Sequence, residues 1–168
     1  MATVKLGENE FQTSGNLPNV GDKAPDFKLT TVDLDTKSLS DYKGSRVILN
    51  IFPSIDTSVC ATSVRTFDKE VAELDNTKLL CISHDLPFAH SRFCKEEGLE
   101  NLEALSDFRD GSFGKTYGLD LLNGPMQKLH SRVVIVLDEE GTVIHTEQVP
   151  NIADQPKYSK VLEILGNA

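Results

Sequence analysis

From Arg46 to Phe52 the chain reads Arg-Val-Ile-Leu-Asn-Ile-Phe, a nearly continuous apolar run of strand length. That pattern predicts a strand covered on both faces and central in a sheet. Past Pro53 the period changes. Val64, Phe67, Val71 and Leu74 recur every three or four positions with Arg65, Asp68, Lys69, Glu70 and Glu73 between them. This predicts an amphipathic helix of about four turns, starting at Ser58 and stopping at Asp75-Asn76. Lys78 to Ser83 is a second buried-looking strand, Pro87 to Glu97 a second helix ended by Gly98, and Leu102 to Leu105 a short third strand. A glycine-punctuated helix over 111–117 and an irregular stretch from Gly118 to Ser131 follow, the latter turned by Asn123-Gly124-Pro125. Arg132 to Asp138 and Thr142 to Val149 form a hairpin through Glu139-Glu140-Gly141, and Tyr158, Val161, Leu162 and Leu165 stripe a last helix.

The N-terminal part is shorter in period. Thr3 to Leu6 and Glu10 to Thr13 alternate around Gly7 and Asn9 as a hairpin, a short strand runs through Thr31, and Leu39 to Gly44 resembles one helical turn closed by glycine. Strand and helix alternate through the middle and a hairpin and helix finish the chain, so the fold class is α/β, with a sheet parallel in part and antiparallel at its end. That order is similar to the thioredoxin fold, with an N-terminal β-hairpin extension and an insertion before the last hairpin. No linker or repeat divides it, and residues 1–168 read as one domain.

Composition narrows the function. Charged residues make up 26% and hydrophobic ones 39%, the balance of an ordinary globular protein. The formal charge of -9, from 26 acidic and 17 basic side chains with no basic patch, argues against nucleic acid and anionic membrane as partners. No apolar run approaches a membrane span, and the first residues lack a signal-peptide pattern, so the expected location is cytoplasmic. Gly111-Ser-Phe-Gly-Lys-Thr lacks the spacing of a phosphate loop or dinucleotide fingerprint. No cofactor is expected, and no metal motif occurs in the linear sequence.

The three cysteines, Cys60, Cys81 and Cys94, are an odd set without the close pairs of zinc sites. Cys60 falls in the first turn of the first long helix, where unsatisfied N–H groups and the helix dipole favour negative charge on sulfur. It is a candidate nucleophile; the alternative is a small buried hydrophobe. Thr57 can cap the backbone or turn its hydroxyl toward the sulfur, and Pro53 would close the pocket. Cys81, inside Leu79-Leu-Cys-Ile82, reads as core. His84, His90, His130 and His145 are scattered and read as loop, helix or strand side chains rather than ligands or bases.

Pro53, Thr57 and Cys60 together spell Pro-x-x-x-Thr-x-x-Cys after a buried strand, which resembles the active-site signature of the peroxiredoxins. Asn50 to Cys60, Leu80-Cys-Ile-Ser83, Asp85-Leu-Pro-Phe-Ala89 and Ser91-Arg-Phe-Cys94 look specifically like the bacterial thiol peroxidases, an atypical two-cysteine branch. The resemblance implies Cys60 as the peroxidatic cysteine, Cys94 as its resolving partner in an intramolecular disulfide, and Arg132 as the cation of the anion pocket. It also implies a hydroperoxide substrate, thioredoxin as reductant and a homodimer. Because Cys60 and Cys94 fall on two helices, their union requires parts of both to unwind. Two other classes stay open: a thioredoxin-like disulfide oxidoreductase, which would place a cysteine where Thr57 stands, and a noncatalytic redox-binding module.

Overall fold

The computed structural model describes residues 1–166. The single-domain reading also takes in Asn167 and Ala168, which lie outside the described residues. Strands β1 (Thr3–Leu6) and β2 (Asn9–Gln12) reverse through Gly7, whose φ of +62° is a conformation glycine adopts without strain. They pair antiparallel, with Val4 opposite Phe11. Neither strand joins the main sheet; Val4 and Phe11 bury instead against Leu121 and Ile152.

The main sheet starts with β3 (Lys28–Thr30) and β4 (Thr36–Ser38), an antiparallel pair followed by a single 3₁₀ turn over Leu39–Tyr42. All six residues of β5 (Arg46–Ile51) are buried, as the apolar run predicts. Helix α1 (Ser58–Val71) is shorter than its apolar stripe: a turn closes from Leu74 N–H to the Val71 carbonyl, and Asn76, at a φ of +48°, reverses the chain. Strand β6 (Thr77–Ser83) and helix α2 (Pro87–Glu97) follow, with proline in the first turn of α2 and Gly98 left-handed at its end. Strand β7 (Glu103–Ser106) sits one residue later than predicted, and α3 (Ser112–Thr116) precedes the irregular excursion. Strands β8 (Val133–Leu137) and β9 (Val143–Gln148) form the last hairpin, and α4 (Tyr158–Gly166) finishes the described chain.

The sheet order is β4-β3-β7-β6-β5-β8-β9. Strands β5, β6 and β7 are parallel, and β8 and β9 add antiparallel. This is the thioredoxin-like mixed sheet expected, with the N-terminal hairpin attached outside it. Alternation sorts the side chains. Val47, Leu49, Ile51, Leu80, Ile82, Val133 and Ile135 face a core shared with Phe113 and Tyr117, while Ile48, Leu79, Cys81, Val134 and Val136 face α1 and α4. Both faces of β5 are therefore covered, and its end is held within the protein. No described helix is long and apolar enough to cross a membrane.

Candidate active site

Pro53 has no N–H to donate, so the ladder of β5 ends with Phe52, whose N–H reaches the Ile82 carbonyl at 3.1 Å. The chain then crosses the sheet edge in a short loop fastened by one carboxylate. Asp85 accepts from Ser54 Oγ at 2.8 Å, from the Ile55 N–H at 2.7 Å and from Ser83 Oγ at 2.6 Å. Thr57 is the N-cap of α1, extended at φ -92° and ψ 147°, and its carbonyl accepts the Ala61 N–H at 2.9 Å. Cys60 is the third helical residue, so its own N–H belongs to the set that the helix leaves unpaired. Its side chain is fully buried.

The cation arrives from the opposite end of the sequence. Val134 and Val136 face α1, so Arg132, two residues before Val134, is directed to the same face. Its Nη2 donates to Cys60 Sγ at 3.2 Å and its Nε to the Ile152 carbonyl at 2.8 Å. The side chain is only 2% exposed, and Nη1 is buried without a partner. The two acceptors, a carbonyl and a sulfur, give this buried guanidinium no countercharge until the thiol ionises. A full positive charge at this distance stabilises negative charge on the sulfur, and Nη1 stays available for a second acceptor.

The N-terminal hairpin sets where that cation sits. Lys5 N–H donates to the Pro150 carbonyl at 2.8 Å, and Ile152 N–H donates to the Lys5 carbonyl at 2.7 Å. The carbonyl that orients Arg132 thus belongs to a segment zipped onto β1. The linear sequence shows the hairpin but not this use of it.

A profile of the Redoxin family matches residues 19–162. The chain belongs to the redoxin family. Thiol peroxidases of Mycobacterium bovis and Corynebacterium glutamicum are 50% and 47% identical to this redoxin over 166 and 165 residues, covering 99% and 98% of it and 99% of each relative. The crystal structure of a peroxiredoxin-like protein from Aquifex aeolicus matches with a TM-score of 0.93 at 32% identity, over 99% of this chain and 97% of that one. A thiol peroxidase from Chromobacterium violaceum, 23% identical, shares the fold with a TM-score of 0.92 over 98% and 95% of the two chains.

The structure brings Cys60 and Arg132 of this redoxin together and places Pro53, buried, at the start of the loop. Thr57 takes neither of its two anticipated orientations. Its hydroxyl donates back to the Ser54 carbonyl at 3.1 Å and makes no cap bond to the helix, leaving its exposed oxygen lone pairs as acceptors. Cys94 lies half-buried in the last turn of α2, on the wall of a surface cavity of about 370 Å³ shared with Ser91, Leu99 and Leu102. All three thiols are free. Burial, then the nearby Asp68 carboxylate, pushes the Cys94 thiol up. Cys81 is core as expected, and its burial pushes the thiol up strongly against a weak contact from Asn50 at 3.9 Å.

Two groupings escaped the sequence. Asp85 lies within a quoted motif, yet only the fold shows that it ties β6 to the cysteine loop. His84 and His130 are 46 positions apart but stack at 4.1 Å between ring centroids, beside Asp107 and Asp120.

Proposed function

We propose that this redoxin is a thiol peroxidase in which Cys60 reduces hydrogen peroxide and organic hydroperoxides. The observation that carries the reading is the buried Arg132 guanidinium 3.2 Å from the Cys60 sulfur, without an acidic partner among the described residues. The Cys60 thiolate attacks the terminal peroxide oxygen, the O–O bond breaks, and the departing oxygen takes a proton and leaves as alcohol or water. Arg132 stabilises charge first on sulfur and then on the departing oxygen, using the free Nη1 donor. Thr57 accepts the peroxide O–H and fixes the line of attack. Phe52, Ile55 and Phe93 share the apolar cluster around Cys60, which favours an alkyl group on the substrate.

The sulfenic acid is resolved by Cys94: its sulfur attacks, water leaves, and a Cys60–Cys94 disulfide forms within one chain. Thioredoxin supplies the two electrons that reopen it. Both cysteines stand in terminal helical turns, Cys60 in the first of α1 and Cys94 in the last of α2. Such turns have the fewest helical bonds to lose, and bridging requires Cα atoms to approach within about 4.4–6.8 Å. The cycle needs a reducing compartment, and we place it in the cytoplasm, with the enzyme acting as a homodimer. A thioredoxin-like disulfide exchange is disfavoured because Thr57 occupies the first cysteine position of the Cys-x-x-Cys that such chemistry uses.

Hydroperoxide consumption coupled to thioredoxin and its reductase tests the assignment. Cys60→Ser abolishes turnover, Cys94→Ser keeps one stoichiometric oxidation but loses thioredoxin-dependent cycling, and Cys81→Ser remains active. Full activity in Cys60→Ser overturns the peroxidase reading.

A further inference from the structure

Four side chains that the peroxidase chemistry leaves unused meet beside α3. His84 Nε2 lies 3.5 Å from Asp120 Oδ1 and 4.0 Å from Asp107 Oδ2. His130 Nε2 lies 3.7 Å and 3.0 Å from the same two oxygens. One donor atom from each of His84, Asp120 and His130 falls within 4.8 Å of the other two. Four donors held at about 2.0–2.2 Å around a tetrahedral ion stand roughly 3.3–3.5 Å from one another. The separations from the two histidines to Asp120, 3.5 and 3.7 Å, are close to that value.

Hydrogen bonding does not account for the cluster. His130 to Asp107 is a satisfied pair, but His84 Nε2 and Asp120 Oδ1 are both buried atoms without a hydrogen-bond partner. The two carboxylates bring two negative charges to the cluster, which one divalent cation would neutralise. The surroundings position the oxygens for it. Asp107 is held by the N–H groups of Phe113 at 3.1 Å and Gly114 at 2.9 Å. Asp120 fits because residue 114 is glycine: a Cβ there would stand 1.9 Å from Asp120 Oδ1. Access exists from a surface cavity of about 380 Å³ whose wall includes His84, Gly111 and Asp120, with Asp110, Lys115 and Lys128 around it.

We propose that His84, His130 and Asp120, with Asp107 beside them, form a binding site for a divalent transition metal ion of the zinc type. Two imidazole nitrogens among the three protein donors disfavour magnesium and calcium, which take oxygen ligands. Binding requires the other tautomer of His130: the proton that Nε2 donates to Asp107 moves to Nδ1, and the bare Nε2 turns to the ion. The cluster stands apart from the thiol: Phe113, packed against His130, belongs to the core on one face of the sheet and Cys60 to the core on the other. The ion would join the end of β6 to the irregular excursion, next to the residue after β7.

Cobalt(II) chloride titrated into the reduced protein is the direct probe. One equivalent binds with visible absorption of tetrahedral intensity and without a thiolate-to-metal charge-transfer band. His84→Ala and the near-isosteric Asp120→Asn each weaken binding at least tenfold, and the Cys60→Ser/Cys94→Ser double variant retains it. Zinc raises the melting temperature of the parent protein but not of His84→Ala or Asp120→Asn. The proposal is overturned if cobalt does not bind, if both variants bind it as tightly as the parent, or if the signal vanishes in the double cysteine variant.

Discussion

Replacing Arg132 by methionine removes the guanidinium while keeping most of the side-chain volume. The lost contact is the 3.2 Å donation from Nη2 to the Cys60 sulfur. Hydrogen bonds to charged groups contribute about 1.5–3 kcal/mol, and a charge pair near 4 Å at an effective dielectric of 20 is worth about 4 kcal/mol. A loss of about 2–4 kcal/mol in the attack step corresponds to roughly 30- to 1,000-fold in kcat/KM for hydroperoxide. Stability should respond differently. Among the described residues the buried guanidinium has no carboxylate partner, so its removal relieves a desolvation cost, while the Ile152 carbonyl loses its donor at about 1–3 kcal/mol. The two changes offset, and the melting temperature moves by no more than a few degrees. Arg132→Lys keeps the charge but cannot donate to Ile152 and Cys60 from one rigid fork, and falls between parent and Arg132→Met. The assays are initial rates over a hydroperoxide series at saturating thioredoxin, with thermal unfolding of the same samples. A kcat/KM for Arg132→Met within about threefold of the parent refutes the reasoning, because it would mean that charge on the sulfur needs no help from this cation.

Two pH-dependent effects follow from burial. Burial and then Asp68 raise the Cys94 thiol, so disulfide formation should accelerate with pH beyond the point at which a free thiol levels off. Asp68→Asn removes only the lesser cause and shifts that profile part of the way to lower pH, measured as the decay of the sulfenic acid; a profile that stays put or moves upward contradicts the assignment. Burial holds His90 down to about 4 from an ordinary 6.5, despite the neighbouring Asp85. The unfolded chain therefore binds more protons between these values, so the contribution of neutral His90 is complete above pH 6.5 and is lost as pH falls toward 4. The loss is about 3 kcal/mol by linkage. Urea unfolding at pH 7 and pH 4.5 should show a smaller acid loss in His90→Asn than in the parent, and an equal loss argues against it.

What was legible in the sequence was whatever is encoded over a few residues. The β5 run, the period change at Ser58 and the cysteine in the first helical turn all act locally, and each stands where it was expected. Strand β4 escaped because Thr36-Lys37-Ser38 is polar at a sheet edge, where no buried face imposes alternation. The helix after Cys60 was drawn too long because Leu74 keeps the apolar spacing after the backbone has turned away. Thr57 offered two orientations, and the neighbouring Ser54 carbonyl won over both. His84 and His130 could not be paired from periodicity at all. They meet because the excursion between α3 and β8 returns His130 to the end of β6, and Asp120 and His130 bridge within it.

The site also divides its labour between parts that hold and parts that yield. Arg132 is held by β8 on one side and, through Ile152, by the N-terminal hairpin on the other, so the cation belongs to the rigid frame. The cysteine loop is held by Asp85, which is anchored in turn at the end of β6. Cys94 is restrained differently. Its helix is tied to α1 and the loop mainly at the surface, by Arg65 to Glu97 at 2.9 Å and Arg92 to Asp56 at 2.5 Å. Exposed ion pairs of this kind contribute little and are screened by salt. The last turn of α2 also stops at Gly98, beyond which only the Leu99 N–H returns to the Cys94 carbonyl, at 3.0 Å. Under the proposed cycle the peroxide-binding half must keep its geometry through the attack while the resolving half travels. Buried bonds fasten the peroxide-binding half, and in α2 buried His90, 2.8 Å from Ser83 Oγ, fastens the start of the helix, whereas the turn that carries Cys94 is tied by exposed ion pairs, which assigns most of the motion to that turn rather than to Cys60.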